Sequence, residues 1–125
     1  MAHKSLYPPH IMQYYTDRAR YQKEIMQPTF SVTQSNSLCG DQVTMAGVAH
    51  QGVITELSFS GSGCIISQAA AAMLIHHVMG KTVEQAKLFS VQNMLNLFEL
   101  PVGPNRQACV LLALKTLQLA LRDNS

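Results

Sequence analysis

The sequence predicts an α+β domain, with helices packed on one face of a three-stranded antiparallel sheet. Three observations predict it. Residues 28–35, "PTFSVTQS", are rich in β-branched types and read as a strand. From Asp41 to Ser60 apolar residues recur at every second position. After "GSG" (61–63) the pattern turns helical and stays so to the end of the chain.

Taken in order, "MAHKS" is loose and the first helix falls at about residues 8–18. Pro8 and Pro9 suit a first turn, and Leu6, Ile11, Met12 and Tyr15 form its apolar face. "SNSLCGD" (35–41) is turn chemistry after the first strand. Val43, Met45 and Gly47 alternate with polar neighbours, and Val53, Thr55, Leu57 and Phe59 do likewise. "HQG" (50–52) between them makes a hairpin. Residues 64–79 form a helix with four consecutive alanines, stopped by Gly80. Thr82 caps a short helix over 81–89, and Ser90 caps another over 90–100, with Val91, Met94, Leu95 and Phe98 on one face. "PVGP" (101–104) breaks that helix, and a final one over 105–123 is capped by Asn105. Met73, Met79, Met94 and Ala69–Ala72 read as core or helix-packing positions.

At 125 residues the chain is read as a single domain, 1–125, with no repeat or linker. Apolar residues at 47% against 13% charged argue for a folded core and against disorder. The net charge of +2 comes from scattered Lys and Arg, without the basic stripe of a nucleic-acid binder. Ala69–Ile75 is far too short to span a membrane, and no signal-peptide pattern opens the chain. The expectation is therefore a cytoplasmic protein with no nucleic-acid or membrane partner. In that compartment thiols stay reduced, so three cysteines point to metal binding or sulfur chemistry before a disulfide framework.

All three cysteines stand beside backbone breaks. Cys39 precedes Gly40-Asp41, Cys64 follows Gly61-Ser62-Gly63, and Cys109 lies one turn inside the last helix. Thiols at helix starts feel the positive end of the helix dipole, which favours thiolate, the form that ligates soft metals and carries sulfur. With Asp41 supplying an oxygen, three sulfurs would complete a tetrahedral shell for zinc, or for iron in a cluster. A free cysteine is more often a small buried hydrophobe, and without a C-x-x-C pair the spacing leaves the site a hypothesis.

"CGD" (39–41), "GSGCIIS" (61–67), "GKTVEQA" (80–86) and "PNRQAC" (104–109) occur in the order of the IscU/NifU/SufU family of iron–sulfur cluster assembly proteins. "LYPPHIMQYY" (6–15) resembles that family's first helix, so the resemblance covers nearly the whole chain. It implies an α+β fold in which Cys39, Asp41, Cys64 and Cys109 converge as metal ligands and sulfur-handling residues.

The chain departs from each subgroup. IscU-type members carry histidine directly before the third cysteine, where this chain has Ala108. SufU-type members show Pro-x-Arg-x-x-Cys, which Pro104, Arg106 and Cys109 reproduce, but they carry an insertion ahead of that motif. Here only 44 residues (65–108) lie between Cys64 and Cys109, as in the uninserted type. "LPVGPNR" (100–106) differs from the Leu-Pro-Pro-Val-Lys segment that IscU-type proteins offer to a dedicated heat-shock chaperone, so that partner is not expected. "RAR" (18–20) replaces the family's Pro-Arg-Asn.

Among other residues, Arg106 stands one turn before Cys109. It is either aimed at the same pocket, beside a thiolate, a persulfide or Asp41, or a solvated first-turn residue. His76 and His77 lie about 18 Å along the helix from Cys64 at 1.5 Å per residue, so they are assigned to surface or packing. His50 is an exposed turn residue. Lys81 is explained equally well as part of the family's Gly-Lys step and as a solvated helix start.

The leading expectation is a non-enzymatic scaffold that accepts persulfide sulfur from a cysteine desulfurase. It would bind iron or a transient [2Fe–2S] cluster and pass the cluster to recipient apo-proteins or carriers. A zinc-containing SufU-like sulfur acceptor that activates a desulfurase is the alternative. A thiol enzyme with Cys64 as nucleophile lacks a histidine placed as its base. A plain structural module would leave the cysteines inert.

Overall fold

A computed structural model describes residues 7–37, 40–99 and 101–122. Leu6, Cys39 and Leu100, all named above, lie outside them, as does the expected end of the last helix beyond Arg122. The elements are α1 (Pro9–Thr16), a 3₁₀ turn over Arg18–Tyr21, β1 (Phe30–Asn36), β2 (Asp41–His50), β3 (Val53–Ser62), α2 (Ile65–Val78), α3 (Val83–Lys87), α4 (Val91–Phe98) and α5 (Pro104–Leu121). The expected α+β architecture is present, a three-stranded antiparallel sheet in the order β1-β2-β3.

Period-two patterning sets the register. Asp41, Val43, Met45 and Gly47 are the buried positions of β2, and Gln42 is exposed between them. Met45 pairs with Phe59, and Gly47 with Leu57, so the apolar side chains of β2 and β3 line one face. β2 and β3 join through a two-residue turn in which Gln51 and Gly52 both take positive φ, as a type I′ hairpin requires. α5 lies across β1 and β2 and also packs on α2, while α2 also contacts β3. Ala69–Ala72 are fully buried, and their small side chains let α2 approach its neighbours closely.

Four local expectations are corrected. α5 starts at Pro104 with Gly103 as its N-cap, not Asn105, because proline's fixed φ suits the first helical position. Met79 is 41% exposed rather than core, since it caps α2 just past the last buried turn. Val91 is 44% exposed, so the buried face of α4 is Met94 and Phe98, with Leu95 partly buried. Thr55 is exposed and is followed by exposed Glu56. A register shift at Val48/Ala49 interrupts the alternation at that end of the sheet. The Thr82 and Ser90 caps are both present as full capping boxes, closed by Gln85 and Asn93.

A candidate metal and sulfur site

The antiparallel register builds the site. β2 begins at Asp41 and β3 ends at Ser62, and pairing of Gln42 with Ser62 brings those two ends together. The chain then turns through Gly63 into α2, whose N-cap is Cys64. Two glycines permit this closeness. Gly61 has φ +134°, and a Cβ there would lie 2.1 Å from the carbonyl oxygen of Gln42. A Cβ at Gly63 would come within 3.0 Å of the Asp41 carboxyl group.

Asp41 is only 3% exposed and occupies a core-facing position of its strand. A buried carboxylate needs donors, and α2 supplies them. The backbone N–H of Cys64 donates to Asp41 Oδ1 at 3.2 Å, and Cys64 Sγ–H to Oδ2 at 3.4 Å. Ser67 Oγ–H also donates to Oδ2. The carboxylate thus sits at the positive end of α2, where negative charge is favoured. Cys109 comes from one turn into α5, buried, with its Sγ–H directed to the carbonyl of Asn105 at 3.6 Å. Cys64 is exposed.

Cys64 Sγ, Cys109 Sγ and a carboxylate oxygen of Asp41 all lie within 4.8 Å of one another. Three of the four expected ligands therefore meet, drawn from the start of a strand and the starts of two helices. The fourth, Cys39, is outside the described residues, two positions before Asp41 in the chain. Two thiol sulfurs and a carboxylate oxygen within a few ångströms form a donor set suited to zinc or to iron, and an exposed sulfur gives access.

Arg106 donates from Nη1 to the Tyr7 hydroxyl at 2.9 Å, with its guanidinium 5.8 Å from that ring's centre. His76 is at the far end of α2, where Tyr21 hydrogen-bonds its Nδ1 at 3.2 Å and the Tyr14 ring meets it edge-on. His77 meets the His76 ring edge-on. His50 is exposed at the end of β2. No histidine is among the hydrogen-bond partners of Cys64 in the described residues, so a cysteine–histidine pair for thiol catalysis is not assembled there. Ser67 is the residue that sequence reasoning missed. Its signal was present: a hydroxyl three positions after Cys64, on the same helical face.

Residues 6–125 match the family described as NifU-like N terminal domain. The chain belongs to that family. It is 27% identical to the iron–sulfur cluster assembly scaffold protein IscU of Thermotoga maritima, over all of this chain and 99% of that one. It is 30% identical to the zinc-dependent sulfurtransferase SufU of Bacillus subtilis strain 168, over 69% of this chain and 60% of that protein. Among solved structures, the SufU protein of thermophilic Fervidobacterium islandicum AW-1 superposes with a TM-score of 0.81 at 28% identity, covering 92% of this chain and 96% of that one. The N-terminal NifU-like structure from Brucella abortus superposes at 0.76 with 20% identity, over 92% and 91% of the two chains, which bears on the fold alone. No helix among the described residues is long and apolar enough to cross a membrane.

Proposed function

We infer that this NifU-like domain is an iron–sulfur cluster assembly scaffold. The carrying observation is the convergence of Asp41, Cys64 and Cys109 at one end of the sheet, with an exposed sulfur for a partner to reach. In this reading Cys39 completes the ligand set. A cysteine desulfurase presents a persulfide, and a thiolate of this chain attacks its outer sulfur. One S–S bond forms on the scaffold as the donor's S–S bond breaks. The desulfurase cysteine leaves as thiolate, the terminal sulfur keeps its proton, and no net oxidation occurs. Iron and the [2Fe–2S] unit are cargo, held at the thiolates and Asp41 until a recipient apo-protein or carrier takes them. The scaffold then performs sulfur acceptance without turning over a substrate of its own. Arg106, at the first turn of α5, is bonded to the Tyr7 hydroxyl and is given no part in this reading.

A second reading, the zinc-containing sulfur acceptor, is favoured by specific residues. Ala108 stands where IscU-type chains carry histidine, and Pro104, Arg106 and Cys109 reproduce the SufU pattern. Zinc would then be resident on the same residues, and the donor set suits it. Bound there, zinc would hold thiolates ready for ligand exchange.

Sulfur transfer tests what the two readings share. The chain is mixed without oxygen with a bacterial cysteine desulfurase and L-cysteine, then analysed by intact mass. The expected result is added sulfur on wild type, lost when the receiving cysteine among Cys39, Cys64 and Cys109 is replaced by serine. Absence of sulfur on the wild-type chain would overturn the sulfur-acceptor role in both readings.

A further inference from the structure

The geometry points to Ser67 as the positioning residue that holds the Asp41 carboxylate in ligating orientation, an assignment that rests on the metal-site reading above. Ser67 is the third residue of α2 and is buried, and its position three residues after Cys64 puts both side chains on one face. Its hydroxyl donates to Asp41 Oδ2 and lies 3.6 Å from Cys64 Sγ, so it touches two members of the ligand triangle without being one.

A short carboxylate needs such a partner. The last torsion of an aspartate is broad and roughly two-fold, so the side chain alone does not fix which oxygen faces the sulfurs. In this structure Oδ1 is fastened by the Cys64 backbone N–H, and Oδ2 accepts from both Ser67 and Cys64 Sγ–H. A sulfur that ligates a metal gives up its S–H. The donation from Cys64 Sγ therefore ends when the site loads, whereas a hydroxyl donation can persist. An ionised carboxylate oxygen has lone pairs enough to accept from Ser67 and still ligate. The carboxyl group occupies the space that a Cβ at Gly63 would need, so the missing side chain there lets Asp41 sit against the start of α2.

The test is a double-mutant comparison with zinc and cobalt as probes. Zinc affinity is measured by chelator competition on wild type, Ser67→Ala, Asp41→Ala and the double variant, each checked metal-free by thermal melting. Ser67→Ala is expected to weaken zinc binding by about 10–100-fold, the usual effect of losing a partner behind a ligand, and to shift the visible bands of bound cobalt. In the Asp41→Ala background the same change is expected to do nothing further, because its effect runs through Asp41. Alanine is smaller and a better helix former than serine, so the metal-free fold is expected to be retained. Should that variant still fail to fold, Ser67→Thr keeps the hydroxyl on the same helix and is expected to retain zinc affinity within a few-fold of wild type, and a loss of about tenfold or more in a folded Ser67→Thr protein would overturn the assignment.

Wild-type zinc affinity and an unshifted cobalt spectrum in Ser67→Ala would overturn the assignment. So would an equal loss with and without Asp41. If wild type itself bound neither metal, the metal-site reading would fall and this assignment with it.

Discussion

The backbone N–H of Cys64 donates to Asp41 Oδ1 at 3.2 Å, fastening the first residue of β2 to the N-cap of α2. That one bond joins the sheet to the helix that presents an exposed thiol, and it sets the chemistry expected of several variants.

Removing the carboxylate is expected to alter the lifetime of the cargo. A carboxylate oxygen is a harder ligand than thiolate and exchanges more readily on a sulfur-bound cluster. Asp41→Ala is expected to lengthen the life of a reconstituted cluster severalfold, followed by visible absorbance under air. Faster loss than wild type would remove Asp41 from the release step. Equilibrium affinity for a single zinc ion, where every ligand counts, is a separate quantity and is expected to fall.

Gly63 leaves space that the carboxyl group of Asp41 fills. A Cβ there would sit 3.0 Å from both Cγ and Oδ1, so Gly63→Ala must push a side chain held by hydrogen bonds from Cys64 and Ser67. Zinc affinity is expected to drop about tenfold or more by chelator competition, as when a ligand's supporting contacts are lost. Unchanged affinity would show that Asp41 can yield without leaving the site.

Phe98 anchors α4. It is fully buried, and its carbonyl oxygen accepts from His10 Nε2 at 3.1 Å when that nitrogen carries the proton. Phe98→Ala is expected to cost about 3–5 kcal/mol in urea unfolding of the metal-free protein. A loss below about 1 kcal/mol would mean that the α4–α5 packing collapses into the space left behind.

His77 adds a pH dependence. His77 is exposed, and partial desolvation against its neighbours, then the charges of His76 and Lys81, hold its pKa below the ordinary value of 6.5. The fold therefore prefers the neutral ring, and the unfolded chain binds the proton first as pH falls. The contribution is complete above pH 6.5 and is lost as pH drops through the lowered folded value. His77→Gln is expected to flatten the fall in melting temperature between neutral and mildly acidic pH. An identical slope in both proteins would remove His77 as its source.

Much of this was legible from periodicity. The alternation of Val43, Met45 and Gly47, extended back by one step, already puts Asp41 on the core face, where a lone carboxylate demands partners. The "GSGC" break supplied the helix start, and the hairpin at residues 50–53 fixed which strand ends meet. What remained hidden depended on contacts distant in sequence. Arg106 has a spacing to Cys109 that fits a role in the pocket, yet its hydroxyl partner is Tyr7, 99 positions away. Met79 carries a core-type side chain but falls where α2 ends, and helix ends are set by backbone geometry that composition describes poorly. Ser67 is hard to single out in a sequence because a serine near a helix start commonly bonds to the backbone of its own helix.

The central claim is that Cys39, Asp41, Cys64 and Cys109 form one site for iron–sulfur cargo or zinc. Metal analysis with visible absorption of wild-type protein, purified and reconstituted without oxygen, tests it most directly. The scaffold account predicts iron and sulfide with cluster absorption, lost on replacement of any one of the three cysteines. Stoichiometric zinc that resists replacement by a cluster would select the sulfur-acceptor reading. A chain that takes up neither metal after anaerobic reconstitution would contradict the account.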